Sequence, residues 1–87
     1  MADVLMRFRI LPKEADVDLK EIVEEVKGNL KDATVVSSRE EPIAFGIKAL
    51  ILDVRAKDEE GVPDRVENAI KRSTLVSQAD IIAVSRC

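Results

Sequence analysis

The chain has 87 residues, 46% of them apolar and 36% charged, a composition that fits one globular domain over residues 1–87 rather than a disordered segment. Its 14 basic and 17 acidic residues are interspersed and leave a net charge of −3, without the basic excess or stripe of a dedicated nucleic-acid binder. Histidine, tryptophan and tyrosine are absent and Cys87 is the lone cysteine, which excludes histidine-based catalysis, a tetrahedral N/S metal centre and an internal disulfide.

Val4 to Leu11 alternates, with Val4, Met6, Phe8 and Ile10 on one face and Arg7 and Arg9 on the other. Period two with a split of apolar and charged residues predicts a half-buried strand, stopped by Pro12. From Asp18 to Leu30 the period changes: Leu19, Ile22, Val23, Val26 and Leu30 form one helical stripe. Asp18 is placed to cap that helix, and Glu21 completes a capping-box spacing. Thr34 to Ser38 is a short β-branched strand, and the segment from Arg39 to Gly46 reads as a connection. Ile47 to Lys57 is a long strand, with Leu50, Leu52, Val54 and Ala56 on one face and Ala49, Ile51, Asp53 and Arg55 on the other. Asp58 to Gly61 forms an acidic turn. Pro63 then opens a second helix, spaced by Val62, Val66, Ala69 and Ile70 and running to about Ser73. Ala79 to Ser85 is a last strand, with Ile81 and Ala83 on one face and Ile82 and Val84 on the other.

The order β-α-β-β-α-β predicts an α+β fold, a ferredoxin-like sandwich of a four-stranded antiparallel sheet with two helices on one face. No unbroken apolar run exceeds four residues, against the ~20 of a membrane span. Met1 leads directly into the first strand pattern rather than into a signal peptide, so a cytoplasmic protein without membrane contact is expected.

Among only three glycines there is no phosphate-binding or dinucleotide-binding motif, so no cofactor is expected. The acidic runs Glu40-Glu41 and Asp58-Glu59-Glu60 lack the alternating ligand spacing of a calcium loop and read as solvated turns. An RNA-recognition domain shares the strand order but stacks bases on aromatic residues of its first and third strands. Here the third strand has no aromatic residue, and Phe8 shares a face with core residues. A phosphate-holding loop after the first strand would need glycine where this chain has Leu11-Pro12-Lys13-Glu14.

One segment is left without an assigned duty: Arg39-Glu40-Glu41-Pro42-Ile43-Ala44-Phe45-Gly46-Ile47-Lys48. Phe45 either folds back to cap the end of the sheet or projects as an apolar anchor. Pro42 restricts the backbone before it and Gly46 permits a sharp exit.

The run Glu40-Glu41-Pro42-Ile43-Ala44-Phe45-Gly46, followed by Ile47-Lys48-Ala49-Leu50, resembles the E-E-P-I-A-F-G-(I/L)-K-x-L segment of the translation elongation factor 1-beta family. Val4 to Pro12, Val17-Asp18-Leu19 and the ending Asp80-Ile81-Ile82-Ala83-Val84-Ser85-Arg86-Cys87 also fit, and the size is that of the archaeal form. The resemblance implies a guanine-nucleotide exchange factor for elongation factor 1-alpha. It would act by binding rather than by catalytic residues of its own, disturbing the Mg²⁺ and phosphate site so that GDP leaves and GTP enters. It implies partner contacts at Pro42, Ile43, Ala44, Phe45 and Gly46. It also implies one at Arg86, which stands where eukaryotic members carry a lysine and which otherwise reads as a solvated terminus. A different function fits the same fold: a ligand-sensing or assembly domain using the open sheet face, with Ile47, Ala49 and Ile51 at the contact.

Overall fold

The computed structural model describes residues 3 to 86, so Cys87 lies outside the described residues. Its elements follow the order β1 (Asp3–Pro12), α1 (Leu19–Asn29), β2 (Ala33–Ala44), β3 (Ile47–Lys57), α2 (Val62–Lys71) and β4 (Val76–Arg86). All strand pairs are antiparallel, and the strands lie in the order β2-β3-β1-β4, so β2 and β4 are the edges. This is the ferredoxin-like α+β sandwich expected from the periodicity.

The alternation in β1 does what its chemistry dictates: Val4, Met6, Phe8 and Ile10 are buried, while Leu5, Arg7, Arg9 and Leu11 sit half-buried on the opposite face. Opposite them on the covered face β3 places Ala56, Val54, Leu52 and Leu50. α1 adds Leu19, Ile22, Val23 and Val26, and α2 adds Val62, Val66 and Ile70, closing one aliphatic core around Phe8. Each such fully buried side chain contributes about 1.5–3 kcal/mol by leaving water. Asp18 caps α1, its carboxylate accepting from the Lys20 N–H at 3.0 Å, but Glu21 does not return the bond that would complete a capping box. Gly61, at φ 84°, enters α2 in the left-handed region, and Pro63 occupies the first turn where no helical N–H is required. Asn29 Nδ2 donates to the Ala69 carbonyl at 3.2 Å, tying the helices to each other.

Two expectations change. The predicted connection from Arg39 to Gly46 is mostly strand: β2 runs on through Ala44 and pairs with β3 to the tip, leaving a turn of two residues. Charged residues and a proline concealed it, because an edge strand with both faces in water has no need of alternation. In β4 the expected alternation slips. Ile81 lies opposite Phe8 on the covered face and Ala83 opposite Arg7 on the open one, so Ile82 occupies a bulge that reverses the order of faces.

A candidate interaction site at the hairpin tip

Ala44 and Ile47 close the β2–β3 hairpin, with Phe45 and Gly46 between them. Both turn residues have positive φ, 54° at Phe45 and 78° at Gly46, the geometry of the tight turn that matches strand twist. Asn-Gly is the sequence such a turn favours; Gly46 satisfies the second position at no cost, but a phenylalanine with positive φ is strained by on the order of 1 kcal/mol or more. Nothing in the fold offsets that strain, since Phe45 is 98% exposed. The alternative in which Phe45 caps the sheet is therefore overturned: the side chain points into solvent.

The surroundings extend the feature. Residues 36 to 48 are all exposed, and on one flank Glu40, Gly46 and Lys48 border a shallow groove shared with Asp18 and Leu19 at the start of α1. Pro42 lies on the edge strand, where its missing N–H costs no ladder bond. The register shifts between Pro42 and Ala44, which puts Ile43 in a bulge and turns it outward. Ile47 is exposed as well, so three apolar side chains, Ile43, Phe45 and Ile47, crown an otherwise polar arm. Lys48 and Glu40 pair across the arm at 3.5 Å, a solvent-screened contact worth under about 1 kcal/mol.

Arg86 is elsewhere. It pairs with Val4 at the opposite end of the sheet, its side chain 78% exposed and its Nε 3.0 Å from Asp58 Oδ2. Roughly ten residues of strand separate that row from the turn, about 30 Å at strand rise. The fold thus gathers Pro42, Ile43, Ala44, Phe45 and Gly46 at one end and sets Arg86 apart at the other.

The open face of the sheet differs from expectation. Ala49 is 0% and Ile51 2% exposed although both stand apart from the core cluster, so this face presents no apolar floor. Arg7 spans to β3 and binds Asp53 through both Nε (2.8 Å) and Nη2 (3.4 Å), and the Ser37 hydroxyl donates to Asp53 from β2 at 2.8 Å. The hydrogen bond from Arg7, helped by those from Ser37 and by the charges of Arg7 and Arg39, holds the Asp53 carboxyl below the usual aspartate range against the opposing effect of burial. Arg7 in turn is held further above its ordinary value by the bond to Asp53. No helix among the described residues is long and apolar enough to cross a membrane, and none of their His, Cys, Asp and Glu side chains cluster as a metal site would need.

Comparison with known proteins shows what the chain as a whole is similar to. A family model for the EF-1 guanine nucleotide exchange domain matches residues 5–87. The elongation factor 1-beta of Thermoplasma acidophilum is 42% identical over 71 residues, covering 80% of this chain and 81% of that protein. That of Methanosarcina barkeri is 36% identical over 88 residues and covers 99% of each chain. The C-terminal domain of the MgtC protein from Mycobacterium tuberculosis superposes with a TM-score of 0.59 at 12% identity, over 93% of this chain and 86% of that one, a likeness of fold alone.

Proposed function

The chain belongs to the family of EF-1 guanine nucleotide exchange domains, and we propose that it acts on elongation factor 1-alpha, docking through the hairpin tip and promoting GDP release. The observation that carries this reading is Phe45, an aromatic side chain left wholly in solvent on a backbone that costs stability to hold. A residue that weakens the fold and contributes nothing to the core has its return outside the molecule. The two-residue turn fixes the ring on a short hairpin, so little conformational freedom is lost when it enters a partner's pocket. Ile43 and Ile47 widen the apolar contact, and Pro42, Ala44 and Gly46 set the shape of the arm.

The mechanism needs no catalytic group on this chain. GDP and Mg²⁺ hold each other on the GTPase; an exchanger that binds the empty GTPase more tightly than the loaded one lowers its affinity for GDP by the same factor. Arg86, at the far end of the sheet, supplies a cation that competes for the Mg²⁺ and phosphate site after leaving Asp58, which its exposure makes easy.

The test is release of a fluorescent GDP from purified elongation factor 1-alpha, with and without this protein. Acceleration at micromolar concentration is expected, and its absence would refute the proposal. Phe45→Ala is expected to slow the accelerated release by roughly 30-fold, the scale of an interface hot spot of about 2 kcal/mol.

A further inference from the structure

The end of α1 and the outer side of α2 do not close completely on each other. The Asn29 amide bonds the buried Ala69 carbonyl across the helices, and beside that contact lies a hollow of about 270 Å³ that opens to solvent. Leu30 and Ala69 are its apolar lining. Its space amounts to roughly nine water volumes at about 30 Å³ each, enough for a small molecule but not for a helix or strand of a partner.

The charge on its lining is one-sided. Lys31, Arg65 and Arg72 line the hollow against one carboxylate, Asp32, in a chain whose net charge is −3. Asp32 is already matched, its Oδ2 accepting from Arg65 Nε at 3.2 Å and from Nη2 at 3.0 Å. Nearby acids on the helices are engaged elsewhere: Glu25 accepts from the Thr74 N–H at 2.9 Å, and Glu67 pairs with Lys71 at 3.1 Å. Lys31 and Arg72 have no carboxylate partner among the described residues. Two unmatched cations thus share one small, accessible hollow, and an anion bound there turns their repulsion into attraction.

We propose that this hollow binds a small phosphate monoester, with the phosphate on Arg72 and Lys31 and the polar body on the Asn68 amide beside Leu30. The phosphate carries close to two negative charges at neutral pH, which match the two unpaired cations. A guanidinium fork bonds two of its oxygens while the lysine supplies a compact charge. A lone carboxylate leaves one of the cations unmatched. A nucleic-acid strand is disfavoured, because the chain is net negative and no aromatic side chain lines the hollow to stack a base. β2 starts beside the hollow at Ala33 and ends at the hairpin tip, so the two sites are separate and this one does not require the exchange reading to hold.

The experiment titrates the full-length ¹⁵N-labelled chain at constant ionic strength, following the backbone amide signals of residues 29–32 and 65–72 by NMR. The probes are glycerol 3-phosphate, glycerate, glycerol, inorganic phosphate and a single-stranded oligoribonucleotide. Glycerol 3-phosphate is expected to shift these signals in a saturable way and to bind more tightly than glycerate or inorganic phosphate, and glycerol is expected to shift nothing. Lys31→Gln and Arg72→Gln alter exposed residues and are each expected to weaken the phosphate ester about tenfold. Lys71→Gln removes the same charge from a residue that lines a different groove, and is expected to leave binding within about twofold. The proposal is overturned by no saturable shift up to about 10 mM ester, or by equal losses in all three variants, which would mark diffuse attraction to surface charge. Glycerate or inorganic phosphate binding as tightly as the ester would also overturn it, and so would tighter binding of the oligoribonucleotide, which would reassign the surface to RNA.

Discussion

Phe45 combines two unfavourable features that single-residue substitutions separate: a backbone in the left-handed region and an aromatic ring in water. Phe45→Asn keeps the turn and relieves the strain, since Asn-Gly is the favoured pair for this geometry. It is expected to raise the free energy of unfolding by about 1 kcal/mol in denaturant titrations while lowering exchange as severely as Phe45→Ala. A loss of stability instead would mean that the ring packs somewhere in solution. Asp53 offers a residue-scale test of a different kind. Its carboxyl is ionised in the native state at a pH where the unfolded chain would already bind a proton. Its contribution is therefore fully present above the unfolded value of about 4 and is lost as pH falls through the lower native value. Arg7, raised and charged in both states, adds no pH dependence in that window. Unfolding measured from pH 2 to 7 is expected to show Asp53→Asn less stable than the parent by under about 1 kcal/mol above pH 5, with the gap closing below pH 4. A gap that stays constant on acidification would rule the linkage out.

At the scale of elements, what could be read in advance depended on whether a segment had one dry face. β1 and β3 declare themselves because apolar side chains alternate against arginine and aspartate, and α1 because Leu19, Ile22, Val23 and Val26 keep a helical stripe. β2 beyond Val35 has no dry face at all, so its strand character past Ser38 comes from the ladder to β3, which sequence period does not encode. The bulge at Ile82 was hidden for a related reason: in Ile81-Ile82-Ala83-Val84 every residue is apolar, and no polar partner marks where the faces exchange. The candidate site divides the same way. Phe45-Gly46 marked a turn and left an aromatic without a duty, but its outward direction depends on backbone angles. The extended hairpin makes its own prediction. Ile43→Ser and Ile47→Ser alter exposed positions and are expected to leave stability within about 0.5 kcal/mol of the parent. Each is expected to slow exchange less than Phe45→Ala does, measured by the same nucleotide-release assay.

Across the whole molecule, the sheet acts as a spacer. The fold measures 43 × 21 × 16 Å, and its long dimension matches strands that carry Phe45 at one end and Arg86 near the other. Arg7, Asp53 and Ser37 cross-link β1, β3 and β2 between those ends, so the separation is held by paired strands and side-chain bonds rather than by a loop. A partner that uses both ends meets two contacts about 30 Å apart with no shared neighbours, and energies at such a distance add. If Phe45→Ala slows exchange roughly 30-fold and Arg86→Ala roughly fivefold, the double variant is expected near 150-fold, the product of the two. Asp58→Ala supplies the complementary check. It frees Arg86 from its exposed ion pair and is expected to leave exchange unchanged or slightly faster, since the pair must open for the cation to reach the GTPase. Full activity in Arg86→Ala, with the double variant no slower than Phe45→Ala alone, would confine the interface to the hairpin end and leave Arg86 and Asp58 as a surface pair.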